Sequence, residues 1–156
     1  MLIEPNPTNI CFGCGGGNAR GMKLTFEQDD VARKIIGRFR LGAEYQGAFG
    51  IIHGGVIAVV LDEVMGKVCR FRAVRAVTAE MNVEYLKPVF VDANLVVEGY
   101  EKEMEGRNLH LVGEIKDATS GKLLARSHGR FVMLNRAPQA QSGDAQDGTA
   151  KQVSST

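Results

Sequence analysis

One long apolar helix, set among segments that alternate between apolar and polar residues, is the feature that most limits the fold of this chain. Residues 54–71 carry the long helical pattern, and they are apolar on nearly every side. A helix that is hydrophobic all round must be covered by other elements. The remainder of the fold is therefore predicted to be a layer that surrounds this helix.

The segments on either side of the helix show the two-residue period that antiparallel strands with one polar face display. In residues 77–85 the alternation places Val77 with the apolar side chains and Thr78 with the polar ones. Two strands are predicted before the helix and four after it, at residues 22–26, 35–41, 77–85, 93–97, 109–115 and 123–133. An α+β fold, with an antiparallel sheet wrapped around one long central helix, is the economical arrangement. The open edges of such a small sheet favour dimerisation.

The composition of the chain argues against nucleic-acid-binding, membrane-spanning and disulfide-rich proteins. The chain has 156 residues, 44% of them hydrophobic, which suits one domain with a real core. Its formal charge is +1 and it has no basic stripe interleaved with aromatic residues, so we predict no nucleic-acid partner. No apolar run is long enough for a membrane span, and the first residues do not resemble a signal peptide. Three cysteines, an odd number, predict a reducing cytoplasmic setting rather than a disulfide framework.

The two ends of the chain differ from its middle. Residues 1–21 are rich in Pro, Asn and Gly, and they form a predicted N-terminal segment that holds a Cys-x-x-Cys turn. Residues 22–135 form the predicted domain. Residues 136–156 are mostly small or polar, so they cannot bury enough surface to offset their ordering entropy and are predicted to be disordered.

Two adjacent carboxylates interrupt the apolar helix. Glu63 has Lys67 four residues later, in the favourable order for an ion pair, so a solvated helix face is predicted there. Asp62 has no group of opposite charge three or four residues away. Because an unpaired buried carboxylate is costly or becomes neutral, Asp62 is a candidate functional residue. The alternatives are a tertiary cation such as Arg70, or exposure at a subunit junction.

The predicted start of the helix carries His53, Gly54 and Gly55. Two glycines allow a ligand to approach the backbone closely, and the free N–H groups of a helix N-terminus favour developing negative charge. This arrangement would be an oxyanion hole made from the backbone. The alternative is that the glycines merely permit a tight turn. A cation is disfavoured at this end of a helix, so we expect His53 to be neutral and hydrogen-bonded.

The Cys-x-x-Cys turn of Cys11 and Cys14 is a pattern that often binds a metal ion. Structural zinc commonly has four protein ligands, and the sequence offers only His53 as a plausible third ligand. We therefore predict no metal, and a turn that packs against the rim of the sheet. Thiol redox exchange stays open as an alternative, without the βαβ context that would support it.

Three stretches of the chain resemble a known family. A resemblance to the hotdog-fold acyl-CoA thioesterases of the phenylacetate-degradation type rests on YQGAFGIIHGGVIAVVLDEVMG and VTAEMNVEYLKPV. The opening of one branch of that superfamily is similar to CFGCGGGNARGMKLTF. The resemblance covers residues 11–134. It implies the hotdog fold, an acyl-CoA substrate, no cofactor apart from the coenzyme A within that substrate, and a homodimer or dimer-of-dimers tetramer with active sites at the subunit interface.

The same resemblance implies roles for individual residues. Asp62 is the expected catalytic carboxylate, Gly54 is the amide that polarises the thioester carbonyl, and Thr78 is the hydroxyl that orients water. His53 and Gln46 are expected to contact the substrate, with Gln46 one residue away from the position that the spacing indicates. The carboxylate and the amide that act on one substrate are expected to come from different subunits.

The function implied by the resemblance is hydrolysis of an acyl-CoA thioester, with a medium-chain or aromatic acyl group, to a free acid and coenzyme A. A non-catalytic acyl or acyl-CoA-binding protein on the same scaffold is the alternative, because a fold does not dictate a function. A hydratase is a third reading, but the Asp and His pair that such relatives carry is not found in the sequence.

Overall fold

Seven strands and one long helix make up the part of the chain that the computed structural model describes, residues 1–134. The strands are β1 Leu2–Ile3, β2 Phe26–Asp29, β3 Lys34–Phe39, β4 Ala76–Tyr85, β5 Leu95–Glu105, β6 Asn108–Asp117 and β7 Leu123–Met133, and the helix is α1 Gly54–Val68. One 3₁₀ turn, Ala43–Tyr45, precedes the helix and another, Cys69–Arg72, follows it. The predicted polar tail, residues 136–156, lies outside the described residues.

The strands form one sheet in the order β1-β2-β3-β5-β6-β7-β4, and every neighbouring pair is antiparallel. α1 packs against β3, β4, β5, β6 and β7, so the sheet wraps around the helix. The predicted α+β fold, with an antiparallel sheet around one central helix, is therefore confirmed.

The side chains of α1 supply the centre of the core. Gly99 on β5 comes so close to the helix that a Cβ there would lie 2.8 Å from the Val64 carbonyl oxygen, so only glycine fits. The fully enclosed apolar residues of the helix are Ile57, Val60, Leu61, Val64, Met65 and Val68. Within residues 1–134, no helix combines the length and the apolar character that crossing a membrane would require.

The N-terminal part of the sheet differs from the sequence prediction. The strand predicted at residues 22–26 begins only at Phe26, because the backbone before it bonds to the Cys-x-x-Cys turn instead. Met22 N–H donates to the Phe12 carbonyl at 2.8 Å, and Leu24 N–H donates to the Gly13 carbonyl at 2.9 Å. The two-residue strand β1, which no sequence pattern predicted, pairs with β2 along the outer edge.

A β-bulge changes which face of β4 points at the helix. The pairing of β4 with β7 shifts at Ala79, which has no partner on β7. Such an extra residue breaks the regular alternation of a strand. Thr78 therefore faces α1 on the same side as Met81, and Val77 is 50% exposed. The prediction that Thr78 lies on the polar face and Val77 on the core face is wrong for this reason.

Candidate active site

The N-terminus of α1 leaves one backbone N–H group available. His53 is the N-cap residue, and its Nδ1 accepts a hydrogen bond of 2.9 Å from the Gly55 N–H. The His53 carbonyl accepts from Val56 and Ile57 at 3.0 and 3.2 Å. The Gly54 N–H donates to no other group in residues 1–134. Of the two glycine amides considered from the sequence, Gly55 is thus already bonded to the imidazole and Gly54 is free.

The imidazole of His53 is hydrogen-bonded, as expected from its place before the two glycines. As the acceptor of a hydrogen bond, its Nδ1 carries no proton, and this contact sets the geometry of the turn that leads into the helix. The opposite side of that turn is held by Tyr85 at the end of β4, whose hydroxyl donates to the Gly54 carbonyl at 2.9 Å. The position of the Gly54 peptide is therefore fixed from two elements.

The loop before the helix holds Gln46. Its side-chain Oε1 accepts a hydrogen bond of 3.1 Å from the Gly50 N–H, so in this structure that oxygen braces the loop. The tip of the same loop presents Phe49, which is 99% exposed. Gln46 therefore lies in the loop before the helix, and the contact with substrate that the resemblance implies for it stays a prediction.

Asp62 lies in the middle of α1 and is half-buried. The Thr78 hydroxyl donates a hydrogen bond of 2.6 Å to its Oδ1. Burial raises the pKa of Asp62 above its usual value, the hydrogen bond from Thr78 lowers it, and the neighbouring charge of Glu63 raises it again. The site thus combines a partly desolvated carboxylate with a hydroxyl that orients it.

No cation pairs with Asp62 among residues 1–134. Arg70, the tertiary partner considered from the sequence, instead donates from Nε to the Gln28 side chain at 3.3 Å. A half-buried carboxylate without a compensating charge is costly for stability, which is typical of groups kept for function.

Gly54 and Asp62 of one chain are too far apart to act on the same carbonyl group. They are eight residues apart on α1, which at the helical rise places them about 12 Å apart along the axis. A hydrogen-bond donor and an attacking group must each lie about 3 Å from the reacting atoms. The Gly54 N–H and the Asp62 carboxylate of one chain therefore cannot act together on one carbonyl group.

Glu63 and Lys67 are half-buried, and their side chains contact the N-terminal segment. The Cys11 thiol donates to Glu63 Oε1 at 3.1 Å, and Lys67 Nζ donates to Cys14 Sγ at 3.0 Å. The predicted Glu63–Lys67 ion pair does not form among the described residues, because each side chain bonds to a cysteine of the turn. The turn accordingly contacts the helix through its two cysteines, in addition to its backbone hydrogen bonds with Met22 and Leu24 before β2.

No sequence pattern predicted that Glu63 would join Cys11 and Cys14 in one cluster. The Sγ atoms of Cys11 and Cys14 and a carboxylate oxygen of Glu63 all lie within 4.8 Å of one another. These atoms could hold a metal ion. His53, the third ligand considered from the sequence, is instead the N-cap of α1 and bonds to Gly55.

This chain matches a thioesterase family model and a known acyl-coenzyme A thioesterase. A family model described as the thioesterase superfamily matches residues 49–124. Acyl-coenzyme A thioesterase THEM4 of Rattus norvegicus is 28% identical over 115 residues, which cover 74% of this chain and 50% of that protein. The chain thus spans about half the length of this relative.

Solved structures of thioesterase superfamily proteins are also similar to this chain. One of a thioesterase superfamily protein is 29% identical with a TM-score of 0.70, and the match covers 76% of this chain and 57% of the other. The PaaI protein from the phenylacetic acid degradation operon of E. coli is 17% identical with a TM-score of 0.61, over 65% of this chain and 73% of the other. The second match, at this low identity, concerns the fold alone.

Proposed function

We propose that this chain, whose residues 49–124 match the thioesterase superfamily model, is a member of the hotdog-fold thioesterase superfamily and hydrolyses the thioester bond of an acyl-coenzyme A. The products are a carboxylic acid and coenzyme A. The observation that carries the proposal is Asp62, a half-buried carboxylate without a cation partner in the described chain and oriented by the Thr78 hydroxyl at 2.6 Å.

The oxyanion is bound at the start of the helix. In the proposed complex the thioester carbonyl oxygen accepts a hydrogen bond from the free Gly54 N–H. This donor lies at the positive end of the helix dipole, where negative charge that develops on the oxygen is stabilised. Because His53 occupies the Gly55 N–H, Gly54 acts as the backbone donor.

Asp62 drives the attack on the carbonyl carbon. The carboxylate either takes a proton from a water molecule, whose oxygen bonds to the carbon, or bonds to that carbon itself to give an acyl intermediate that water then hydrolyses. In both cases the carbon–sulfur bond breaks and coenzyme A leaves as a thiolate. Thr78 holds one carboxylate oxygen, while its own oxygen can accept a hydrogen bond from the water.

We propose that the working unit is a homodimer, because Gly54 of one chain and Asp62 of the other must meet on one substrate. The edge strand β4 supports this arrangement, since it pairs with β7 alone within the described sheet. The apolar side chains near that edge include Val77 at 50% exposure and Tyr85 at 56%. A long strand edge that is unpaired and carries exposed apolar side chains is an association surface. Light scattering is expected to give a dimer or a dimer of dimers, and a stable monomer would contradict this part of the proposal.

The acyl group that we propose is a medium-chain or aromatic one. Half-buried apolar residues near the Asp62 carboxylate support this choice of acyl group. Val59 lies nearly one turn earlier on α1, and Met81 lies on the helix-facing side of β4. We also propose a reducing, cytoplasmic setting, which the free thiols of all three cysteines support.

The proposal is tested by thiol release from a panel of acyl-CoA substrates. The wild-type chain is expected to release coenzyme A, and Asp62→Asn is expected to lower kcat by about 10²–10⁴-fold. Circular dichroism and thermal unfolding of the variant provide the folding control. Saturable acyl-CoA binding without turnover by the wild-type chain would instead identify a non-catalytic binding protein, and near-normal turnover by Asp62→Asn would remove Asp62 from the mechanism.

A further inference from the structure

The N-terminal turn and the helix together form a cluster that the proposed hydrolysis does not use. Cys11 and Cys14 come from the turn, and Glu63 and Lys67 come from one face of α1. The Cys11 thiol lies 3.1 Å from Glu63 Oε1, and Lys67 Nζ lies 3.0 Å from Cys14 Sγ. Cys14 is only 8% exposed. Three of these groups, the two thiols and the carboxylate, are ligands that divalent zinc prefers.

The distances in the cluster suit a tetrahedral ion. Zinc bonds to sulfur at about 2.3 Å and to oxygen at about 2.0 Å, so two of its ligand atoms lie about 3.5–3.8 Å apart. The Cys11 and Cys14 sulfurs and the Glu63 oxygen are already within 4.8 Å of one another. Side-chain adjustments of roughly 1 Å would place all three around one ion. The Cys-x-x-Cys spacing is itself the spacing of zinc turns.

The charges balance when the ion is present. Two thiolates and one carboxylate carry three negative charges, and a divalent cation with the Lys67 ammonium carries three positive ones. Lys67 also donates to Cys14 Sγ, which is the contact that stabilises a metal-bound thiolate from outside its coordination sphere.

The turn is built rigidly enough to present its ligands. Gly15 N–H donates to the Cys11 carbonyl at 3.0 Å and closes the turn between the two cysteines. Gly13, between them, lies against the Glu63 side chain, and a Cβ at this position would fall 2.4 Å from Glu63 Cγ. Only glycine therefore allows the helix carboxylate to reach the turn. Such prearrangement lowers the cost of ordering the ligands when the ion binds.

Metal binding fits the cluster better than thiol exchange does. Cys14 is buried, whereas the thiols that exchange disulfides lie in accessible positions. A bound divalent ion supplies the positive charge that deprotonates a coordinating thiol.

We propose that Cys11, Cys14 and Glu63 bind one Zn²⁺ ion, with a water molecule as the fourth ligand. The ion fastens the N-terminal segment to α1 beside Asp62. The site does not depend on the proposed hydrolysis.

The full chain, purified under reducing conditions and freed of metal, is titrated with Co²⁺ and then with Zn²⁺. The expected results are a thiolate-to-cobalt charge-transfer band, its loss on addition of Zn²⁺, and one Zn²⁺ per chain by calorimetry. Thermal unfolding is expected to occur at a higher temperature in the zinc-loaded protein. Absence of the charge-transfer band from the reduced wild-type chain overturns the proposal.

A matched pair of variants assigns the ligands. Cys14→Ala and Cys69→Ala make the same change at two buried cysteines, 8% and 5% exposed, of which only the first lies in the cluster. Zinc binding is expected to be lost in Cys14→Ala and unchanged in Cys69→Ala. Glu63→Gln, which keeps the shape of the side chain, is expected to weaken zinc binding at least about tenfold. Equal zinc affinity in both alanine variants, or in wild type and Glu63→Gln, overturns the assignment.

Discussion

The hydroxyl of Thr78 donates a hydrogen bond of 2.6 Å to the carboxylate of Asp62, and this contact joins the edge strand β4 to the middle of α1. It fixes one oxygen of a carboxylate that has no cation partner among residues 1–134. The other oxygen is left for a substrate or a water molecule.

Replacement of Thr78 tests the value of this contact. Thr78→Val keeps the shape of the side chain and removes the hydroxyl, so kcat is expected to fall about 10- to 100-fold, as for a hydrogen bond of about 1.5–3 kcal/mol to a charged group. Thr78→Ser, which keeps the hydroxyl, is expected to retain most of the activity. A similar loss in both variants would show that packing at this position matters, and that the hydrogen bond does not.

Gly54 offers an unusually clean test of the backbone donor. It is the first residue of α1, where proline is tolerated, and His53 before it has the extended backbone (ψ of 134°) that a following proline prefers. Gly54→Pro removes the N–H with the helix retained, and kcat is expected to fall about 10²–10³-fold.

Gly54→Ala is the control for the Gly54→Pro variant, because it adds a Cβ and keeps the N–H. That Cβ would lie 3.4 Å from the nearest atom of the Tyr85 ring, a distance the site can accommodate. Turnover by Gly54→Ala is expected to stay within a few-fold of wild type. Equal rates for the proline and alanine variants would remove Gly54 from the oxyanion site.

Glu114 links stability to pH. Burial alone would raise its pKa, but hydrogen bonds from Arg126 and Lys116 and their positive charges lower the pKa below its usual value. The unfolded chain therefore binds protons at this group at a higher pH than the folded chain does. Its contribution to stability is present at neutral pH and is lost as the pH falls below about 4.3 through the folded pKa.

Urea unfolding at a series of pH values measures this loss. Glu114→Gln is expected to flatten the acid side of the stability profile. Glu27→Gln, at an exposed ion pair with Arg38 at 3.6 Å, is expected to leave it unchanged. Identical profiles for wild type and Glu114→Gln would contradict the assignment.

Ser127 places a hydroxyl in the core without a partner among the described residues. The residue is fully buried on β7. An unsatisfied buried hydroxyl costs free energy, so Ser127→Ala is expected to raise the free energy of unfolding by about 1 kcal/mol. Denaturant unfolding measures the change, and a clear loss of stability would show that the hydroxyl is satisfied in solution.

The long elements of the fold could be predicted because their patterns are local. Each strand after α1 has its own two-residue alternation, and the helix has apolar residues on nearly every side. The face of Thr78 could not be predicted from the same alternation, because the bulge at Ala79 reverses it and leaves no compositional signal. The resemblance to a family, and not periodicity, assigned Thr78 to the site.

The sequence indicated Asp62 as a candidate residue, but it did not indicate the contact that Glu63 makes with a distant segment. Asp62 stood out because no residue within a turn of it could neutralise its charge. Glu63 was misjudged because Lys67 offered a satisfactory local partner, whereas its actual contact, Cys11, is 52 residues away in the chain. Sequence spacing shows which side chains share a helix face, but it does not show which distant segment covers that face.

We propose that one active site takes Gly54 from one chain and Asp62 from its partner. In a mixed dimer of Asp62→Asn and Gly54→Pro chains, one of the two sites then contains both native groups. Random mixing makes half of the dimers mixed, each with one intact site of two, so about one quarter of wild-type activity is expected.

The decisive measurement is therefore thiol release by the two inactive variants, unfolded together and refolded as an equal mixture, with each variant refolded alone as the control. Recovery of about one quarter of the wild-type rate in the mixture is the result that a shared site predicts. A mixture that contains mixed dimers and is no more active than its components would contradict it.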